Sequence, residues 1–320
     1  MRLVLSGGKG GARAQMERCY RFAATLAALV GLVAVRSALA GPPPQRLPSA
    51  ILVFPNVVVE GGGAVRDTRI EIVNLTGRPQ QLSCFYVDGS FCSEFGFFIR
   101  LTANQPIAWL ASRGSFGSHS LSAVPAFGGT GELKCRVVPQ EPGVDAHNAV
   151  QGRAIVFGAD GSTVSYGAVG FQRFTDGDFS GTAELDGSTY AQCPDEMHFA
   201  FVASEPGSES EIVLAPCSED LENRIPTTTT VQFLVYNEFE EVLSASTSVT
   251  CYERERLQDI SHVFTRETLG TETGHVVVRG VQSPVLAMLI DRVQVSGPAS
   301  AVAGNEPAFR GGRPATIRFP

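Results

Sequence analysis

The sequence predicts an all-β protein of two immunoglobulin-like β-sandwich domains in tandem, behind an N-terminal signal peptide. Three observations carry that expectation. Short segments in which apolar and polar residues alternate with period two recur along the chain, each bounded by turn residues. The 34 Gly and 19 Pro favour turns over long helices. The stretch from Thr68 to Val87 has a weaker copy from Thr230 to Tyr252, the mark of a duplicated unit.

In the first copy Ile70, Ile72 and Asn74 share one face, a turn runs from Leu75 to Pro79, and Leu82, Cys84 and Tyr86 share a face again. The second copy places Val231, Phe233, Val235 and Asn237 on one face, a polar hinge from Glu238 to Ser246, then Thr247, Val249 and Cys251. Each pair is expected to form a hairpin. Each Asn is expected to close its strand by bonding nearby backbone, as Asn does in turns.

Taken in order, residues 1–40 read as a secretory signal. A basic region ends at Arg21, an apolar run spans Phe22 to Val35, and Ala38-Leu39-Ala40 precedes Gly41. Cleavage is expected after Ala40, and Met16 is an alternative start to Met1. The apolar run is short for a bilayer and no later segment approaches ~18 uninterrupted apolar residues, so no permanent membrane helix is expected. The glycines and Lys9 of Ser6 to Gly11 lack the spacing of a phosphate-binding loop.

The first domain is expected over residues 41–175. It opens with a strand at Ile51 to Val59, continues through the repeated hairpin and the Asp88-Gly89 turn, and adds strands at Phe97 to Leu101 and Ile107 to Leu110. A Ser/Gly/Ala-rich surface loop follows from Ala111 to Gly131, then strands at Glu132 to Val138, Arg153 to Phe157 and Thr163 to Phe171. The Asp- and Gly-rich stretch Thr175 to Ser188 marks the boundary.

The second domain is expected over residues 176–320. Its strands are Met197 to Ala203, Glu211 to Ala215, Val231 to Asn237, Ser246 to Tyr252, His275 to Val281, Val285 to Val295 and Ala315 to Phe319. A short helical turn is expected within Glu253 to Phe264. The acidic run Ser218 to Glu222 reads as a solvated face.

Composition narrows function. With 43% hydrophobic and 18% charged residues the chain can fill a core. Of its 25 basic and 32 acidic residues, six and one lie in residues 1–40, so the exported form carries 19 against 31, a net charge of −12. That charge repels nucleic acid and anionic membrane. Lys134 is the only lysine beyond the signal, a composition effect on this reading.

Six cysteines follow the signal: Cys84, Cys92, Cys135, Cys193, Cys217 and Cys251. An even number in an exported chain predicts disulfides, with 15 connectivities open. The favoured bonds are Cys84–Cys92, closing the Asp88-Gly89 turn, and Cys193–Cys217. Three cysteines per half imply either a bond between the domains or two free thiols.

No metal or other cofactor is expected, since no Cys-x-x-Cys occurs and His119, His147, His198, His262 and His275 show no ligand spacing. Asp176, Asp178 and Asp186 have the oxygens a calcium ion needs but not the spacing of a calcium loop, and they read as turn residues. Neither a Gly-x-Ser-x-Gly elbow nor His-Glu-x-x-His is present, and no catalytic residues are assigned. Trp109, the single Trp, sits in an apolar segment and reads as core. Asn74-Leu75-Thr76 fits a glycosylation acceptor.

Several blocks together, Cys84-Phe85-Tyr86-Val87, Leu101 to Pro106, Gly131 to Cys135, Pro216 to Glu222 and Val231 to Glu240, resemble segments of exported proteins of Gram-negative bacteria that have no assigned activity. The resemblance spans most of residues 51–290 and supplies no catalytic residues. Those proteins carry longer, Cys-rich insertions after the Cys-Phe-Tyr-Val block and near Ala111 to Phe127, where this chain is short.

The function expected is that of a non-catalytic secreted or cell-envelope structural or interaction protein. The alternative is a secreted carbohydrate-active protein, either a sugar-binding module or a glycoside hydrolase. The partner would be an envelope protein or a surface glycan, met on end loops such as Ala111 to Gly131 or Thr265 to Gly274.

Overall fold

The computed structural model describes residues 47–61, 66–115, 123–139, 148–175, 181–296 and 299–320. The expected signal peptide, Asp176, Asp178, His119 and His147 lie outside the described residues. Residues Gly41–Pro320 form one compact unit.

The described chain is all-β. Its strands are β1 (Ile51–Val59), β2 (Asp67–Asn74), β3 (Gln80–Asp88), β4 (Glu94–Leu101), β5 (Pro106–Leu110), β6 (Gly129–Val138), β7 (Val150–Phe157), β8 (Thr163–Gly167), β9 (Val169–Phe171) and β10 (Thr182–Leu185). They continue with β11 (Glu196–Val202), β12 (Ser208–Pro216), β13 (Glu219–Asp220), β14 (Thr228–Tyr236), β15 (Val242–Thr250), β16 (Glu253–Arg256), β17 (Thr273–Gly280), β18 (Val285–Ser296), β19 (Ala299–Asn305), β20 (Ala308–Arg310) and β21 (Ala315–Arg318). Helix is limited to α1 (Leu257–Ile260), a 3₁₀ turn at His262–Phe264, and α2 (Arg266–Leu269).

The strands form five sheets. A front sheet β4-β3-β6-β1-β9 faces a back sheet β5-β2-β7-β8 across a core that includes Phe54, Ile70, Ile72, Tyr86, Leu133 and Val156. A second front sheet, β15-β14-β17-β11-β20, faces β16-β12-β18-β19 across a core that includes Phe199, Ile212, Phe233, Val278 and Leu289. This layering buries one face of each half-apolar sheet against another.

The two layered pairs have the same strand order. Replacing β1, β2, β3, β4 by β11, β12, β14, β15, and β5 to β9 by β16 to β20, turns both sheets of the first pair into those of the second. Registers agree as well: the rung Cys84–Cys135–Leu52 in the first corresponds to Phe233–Val278–Met197 in the second. Side-chain braces repeat too. Thr68 Oγ1 bonds both the N–H (2.8 Å) and the C=O (3.0 Å) of Val58, and Ser210 Oγ does the same to Val202 at 3.2 and 2.9 Å. Asp88 at the end of β3 accepts from the N–H of Ser90, and Asn237 just after β14 accepts from that of Phe239.

Duplication therefore exists, but not between the stretches that suggested it. β2 and β3 lie in opposite sheets, so Thr68 to Val87 is no hairpin, whereas β14 and β15 pair along nine rungs. The equivalent of β2–β3 is β12–β14. Alternation is common to every half-buried strand, and the Cys that aligned the copies, Cys84 with Cys251, corresponds instead to Phe233. The expected capping holds: Asn74 Nδ2 donates to the carbonyls of Arg78 (2.7 Å) and Thr102 (2.8 Å), and Asn237 Nδ2 to that of Leu269 at 3.0 Å.

The expectation of two tandem immunoglobulin-like sandwiches is corrected. In that fold the first strand lies in the sheet of the second. Here β1 lies between β6 and β9, antiparallel to both, in the sheet opposite β2, and β11 does likewise. Five sheets is also the number in a five-bladed propeller. Propeller blades are built from successive hairpins, however, and the pairs β3–β6, β1–β6, β14–β17 and β11–β17 join strands distant in sequence.

The fifth sheet, β10-β21-β13, has no counterpart in the repeat and contains the parallel pair β13–β21. A third apolar cluster joins it to the outer side of the first front sheet: Ala183, Leu185, Ile317 and Phe319 meet Ile51, Val53, Phe85 and Val87. Leu286 of β18 belongs to this cluster too, so both halves of the chain contribute. The strand expected at Thr163 to Phe171 is in fact two, β8 and β9, in different sheets.

Candidate functional site

The repeat sets apart one surface, the outer face of the second front sheet. On its first-copy equivalent the third cluster sits; on the second copy the face is open. Leu234, which corresponds to Phe85, is 44% exposed where Phe85 is 5% exposed. Beside Leu234 a groove of about 370 Å³ is lined by Glu196, Gln232, Ser244, Val277 and Arg279. Val242 and Phe239 extend the apolar surface past the end of β14, at 56% and 70% exposure.

Across the same face three rings stack. Tyr236 lies 5.4 Å from His275, and His275 lies 5.3 Å from His198. His198 Nδ1 and His275 Nε2 are 3.1 Å apart, and the Glu196 carboxylate is 3.7 Å from His198 Nε2. Burial and the neighbouring His198 lower the pKa of His275 below its ordinary value. Among the described residues no three His, Cys, Asp or Glu side chains converge as a metal site requires.

A second concavity lies on the outer side of the first back sheet. About 710 Å³ in volume, it is lined by Arg69, Glu71, Gln151, Arg153, Tyr166 and Glu306, and its rim continues into a pocket of about 240 Å³ at Pro55, Met288 and Phe309. Glycine shapes its floor: a Cβ on Gly152 would lie 2.5 Å from the Phe54 ring. Glu71 bridges Arg153 (2.6 Å) and Arg69 (2.8 Å). The bond to Arg153 above all holds its carboxyl below the usual range, so it stays ionised and is no proton donor.

Beneath the fifth sheet lies a buried charge cluster. Lys134 Nζ is 2.5 Å from a Glu132 carboxylate oxygen and also contacts Glu219; all three side chains are at most 3% exposed. Burial pushes the Glu132 carboxyl up to about 8 against the pull of Lys134, so it keeps its proton at neutral pH. Burial raises the Glu219 carboxyl as well, again against the pull of Lys134, so two buried acids share a single ammonium. The Tyr252 hydroxyl is buried without a hydrogen-bond partner.

The expected site residues divide as follows. All six cysteines are paired, as Cys84–Cys135, Cys92–Cys251 and Cys193–Cys217. Cys84 thus bonds its cross-strand neighbour on β6, not Cys92, and Cys92 reaches into the second half. Trp109 is buried and donates to the Tyr86 hydroxyl at 2.7 Å. Asp186 caps its own turn, accepting from the N–H groups of Ser188 and Thr189. Ser218 to Glu222 is not a solvated face, because Glu219 and Leu221 are buried. Of the expected contact loops, Thr265 to Gly274 holds α2, capped by Thr265 and ended by Gly270 in a left-handed conformation. The open face and the Lys134 cluster were not foreseen.

No protein-family model matches this chain, and no curated protein matches it. Three disulfides fit an oxidising, exported environment. Among the described residues no helix is long and apolar enough to cross a membrane.

Proposed function

We propose that this is a non-catalytic structural or interaction protein of the cell envelope or the space beyond it, and that it meets its partner on the open face of the second front sheet. One observation carries the reading: a sheet face that the first copy covers with its own chain is left bare in the second. It keeps apolar side chains, Leu234 and Val242, among polar and aromatic ones, the mixture of a binding surface. The predicted leader, the disulfides and the resemblance to exported Gram-negative proteins support export to the periplasm, the surface or the medium. An envelope protein is the partner this surface suits.

The carbohydrate alternative loses its main support, because Trp109 is inside the core and offers no stacking platform. Glu71 in the larger cleft is held ionised by two arginines, which unfits it as the acid of a glycoside hydrolase.

The test is capture from the native envelope fraction with wild-type protein and with Leu234→Asp. A charge at the centre of the contact should cut retention of the bound protein by tenfold or more, about 1.4 kcal/mol, with unchanged melting. Equal retention by the two would remove this face from the proposal.

A further inference from the structure

The free edge of the second front sheet has a property its first-copy equivalent lacks. β15 is nine residues, the longest strand that ends a sheet among the described residues. Its sequence, Val-Leu-Ser-Ala-Ser-Thr-Ser-Val-Thr, holds no charge, no Pro and no Gly. These are the devices by which edge strands normally avoid pairing with another chain. The equivalent edge β4 has them: Glu94 and Arg100 are charged, Gly96 interrupts it, and Arg224 bonds Glu94 at 2.7 Å.

The hydrogen-bond phase fixes which groups face outwards. Cys251 N–H donates to the Thr227 carbonyl at 3.0 Å, so odd-numbered residues of β15 serve β14. Ser244, Ser246 and Ser248 therefore turn their backbone N–H and C=O to the free side. Their side chains lie exposed on the outer face, while Leu243, Ala245, Thr247 and Val249 turn inwards.

The strand also reads nearly alike in both directions about Ser246. In an antiparallel pairing of two copies centred there, Ser244 meets the partner's Ser248, Ala245 meets the partner's Thr247, and Leu243 meets the partner's Val249. Outer faces stay together, inner faces stay together, and no like charges meet.

We propose that β15 pairs antiparallel with the same strand of a second copy, centred on Ser246, and so joins two front sheets into one about a two-fold axis. This interface is isologous, the same strand on both sides. The new ladder borders the open face, whose groove Ser244 and Ser246 line, and its test reads the oligomeric state of the protein alone, without the partner of that face.

Sedimentation and light scattering of the mature, disulfide-bonded protein should show a concentration-dependent dimer. Ser246→Pro removes an outward N–H that β14 does not use, and Ser246→Lys sets two like charges opposite each other on the axis. Both should remain folded and become monomeric. Ser246→Cys should form an inter-chain disulfide on mild oxidation, because hydrogen-bonded antiparallel partners lie ~5.5 Å apart at Cα, within disulfide reach. Ser244→Cys, whose opposite residue is the partner's Ser248, should not. A wild-type monomer at every concentration, or a dimer that both Ser246→Pro and Ser246→Lys leave intact, overturns the proposal. Equal cross-linking by the two cysteine variants overturns the register.

Discussion

The outer faces of the two front sheets have the same strands in the same order, and they differ in what the chain lays over them. In the first, β10, β13 and β21 cover Ile51, Val53, Phe85 and Val87; in the second the equivalent positions are Glu196, His198, Leu234 and Tyr236. The difference is written in the strands themselves. β1 is apolar at every position except Asn56 and is buried on both faces, while β11 alternates Met197, Phe199 and Phe201 with Glu196, His198 and Ala200. A continuous run signals a strand covered twice, and alternation a strand covered once. A duplicated scaffold thus has one copy specialised to carry a lid and the other to carry a surface.

The sharpest way to break that comparison is at Lys134 and its equivalent, Val277. Replacing Lys134 with Met removes the cation that pairs Glu132 and Glu219 and leaves both carboxyls buried without it, which costs about 3–5 kcal/mol. Val277 lines the groove at 8% exposure, and Val277→Met adds volume there without stranding a charge, so it should cost less, about 1–3 kcal/mol. Urea denaturation of both variants tests this. Comparable losses would mean the second face is covered after all.

An effect of comparable size, spread over several pH units, separates the faces by pH. The Glu132 carboxyl is raised from 4.5 to about 8 by burial. The folded protein therefore holds a proton that the unfolded chain releases above 4.5. The stability this confers is complete below that value and is lost as pH rises through 8. Unfolding free energy should fall with rising pH in this window, at a slope of up to about 1.4 kcal/mol per unit, and Glu132→Gln should flatten it. Denaturation at several pH values between 5 and 8 reads the slope; an unchanged slope in the variant would show that Glu132 is ionised in the fold.

Much of the fold was legible before the structure. The apolar stretch of β1 marks its bounds to the residue, and alternation marks most of the half-buried strands to within a few. Which strands pair was not legible. Leu75 to Pro79 reads as a hairpin turn, yet it carries the chain from one sheet to the opposite one, and no local signal tells these apart. β10, β13 and β20 escaped because two to four residues are too few for a period. Lys134 was in plain view as the lone lysine. Its meaning needs Glu219, 85 residues away, and the acidic run around Glu219 looked solvated until Leu221 beside it was seen to be buried. Cys92–Cys251 was hidden for the same reason, a separation of 159 residues.

The smallest predicted effect belongs to the open face and has the opposite sign. His275 is held below its ordinary 6.5 by partial burial and then by His198. Between its lowered value and 6.5 the unfolded chain binds the proton and the folded protein resists it, so the contribution is present above 6.5 and fades as pH falls. Both imidazoles are partly in water, and screening keeps the change in stability slight. The direct measurement is an NMR titration of the histidine ring protons. His275 should titrate below 6.5 in the wild type and move up in His198→Gln, where burial alone opposes its charge. If the midpoint stays where it was, the contact of 3.1 Å between the two rings carries no electrostatic coupling, and the open face holds two independent histidines.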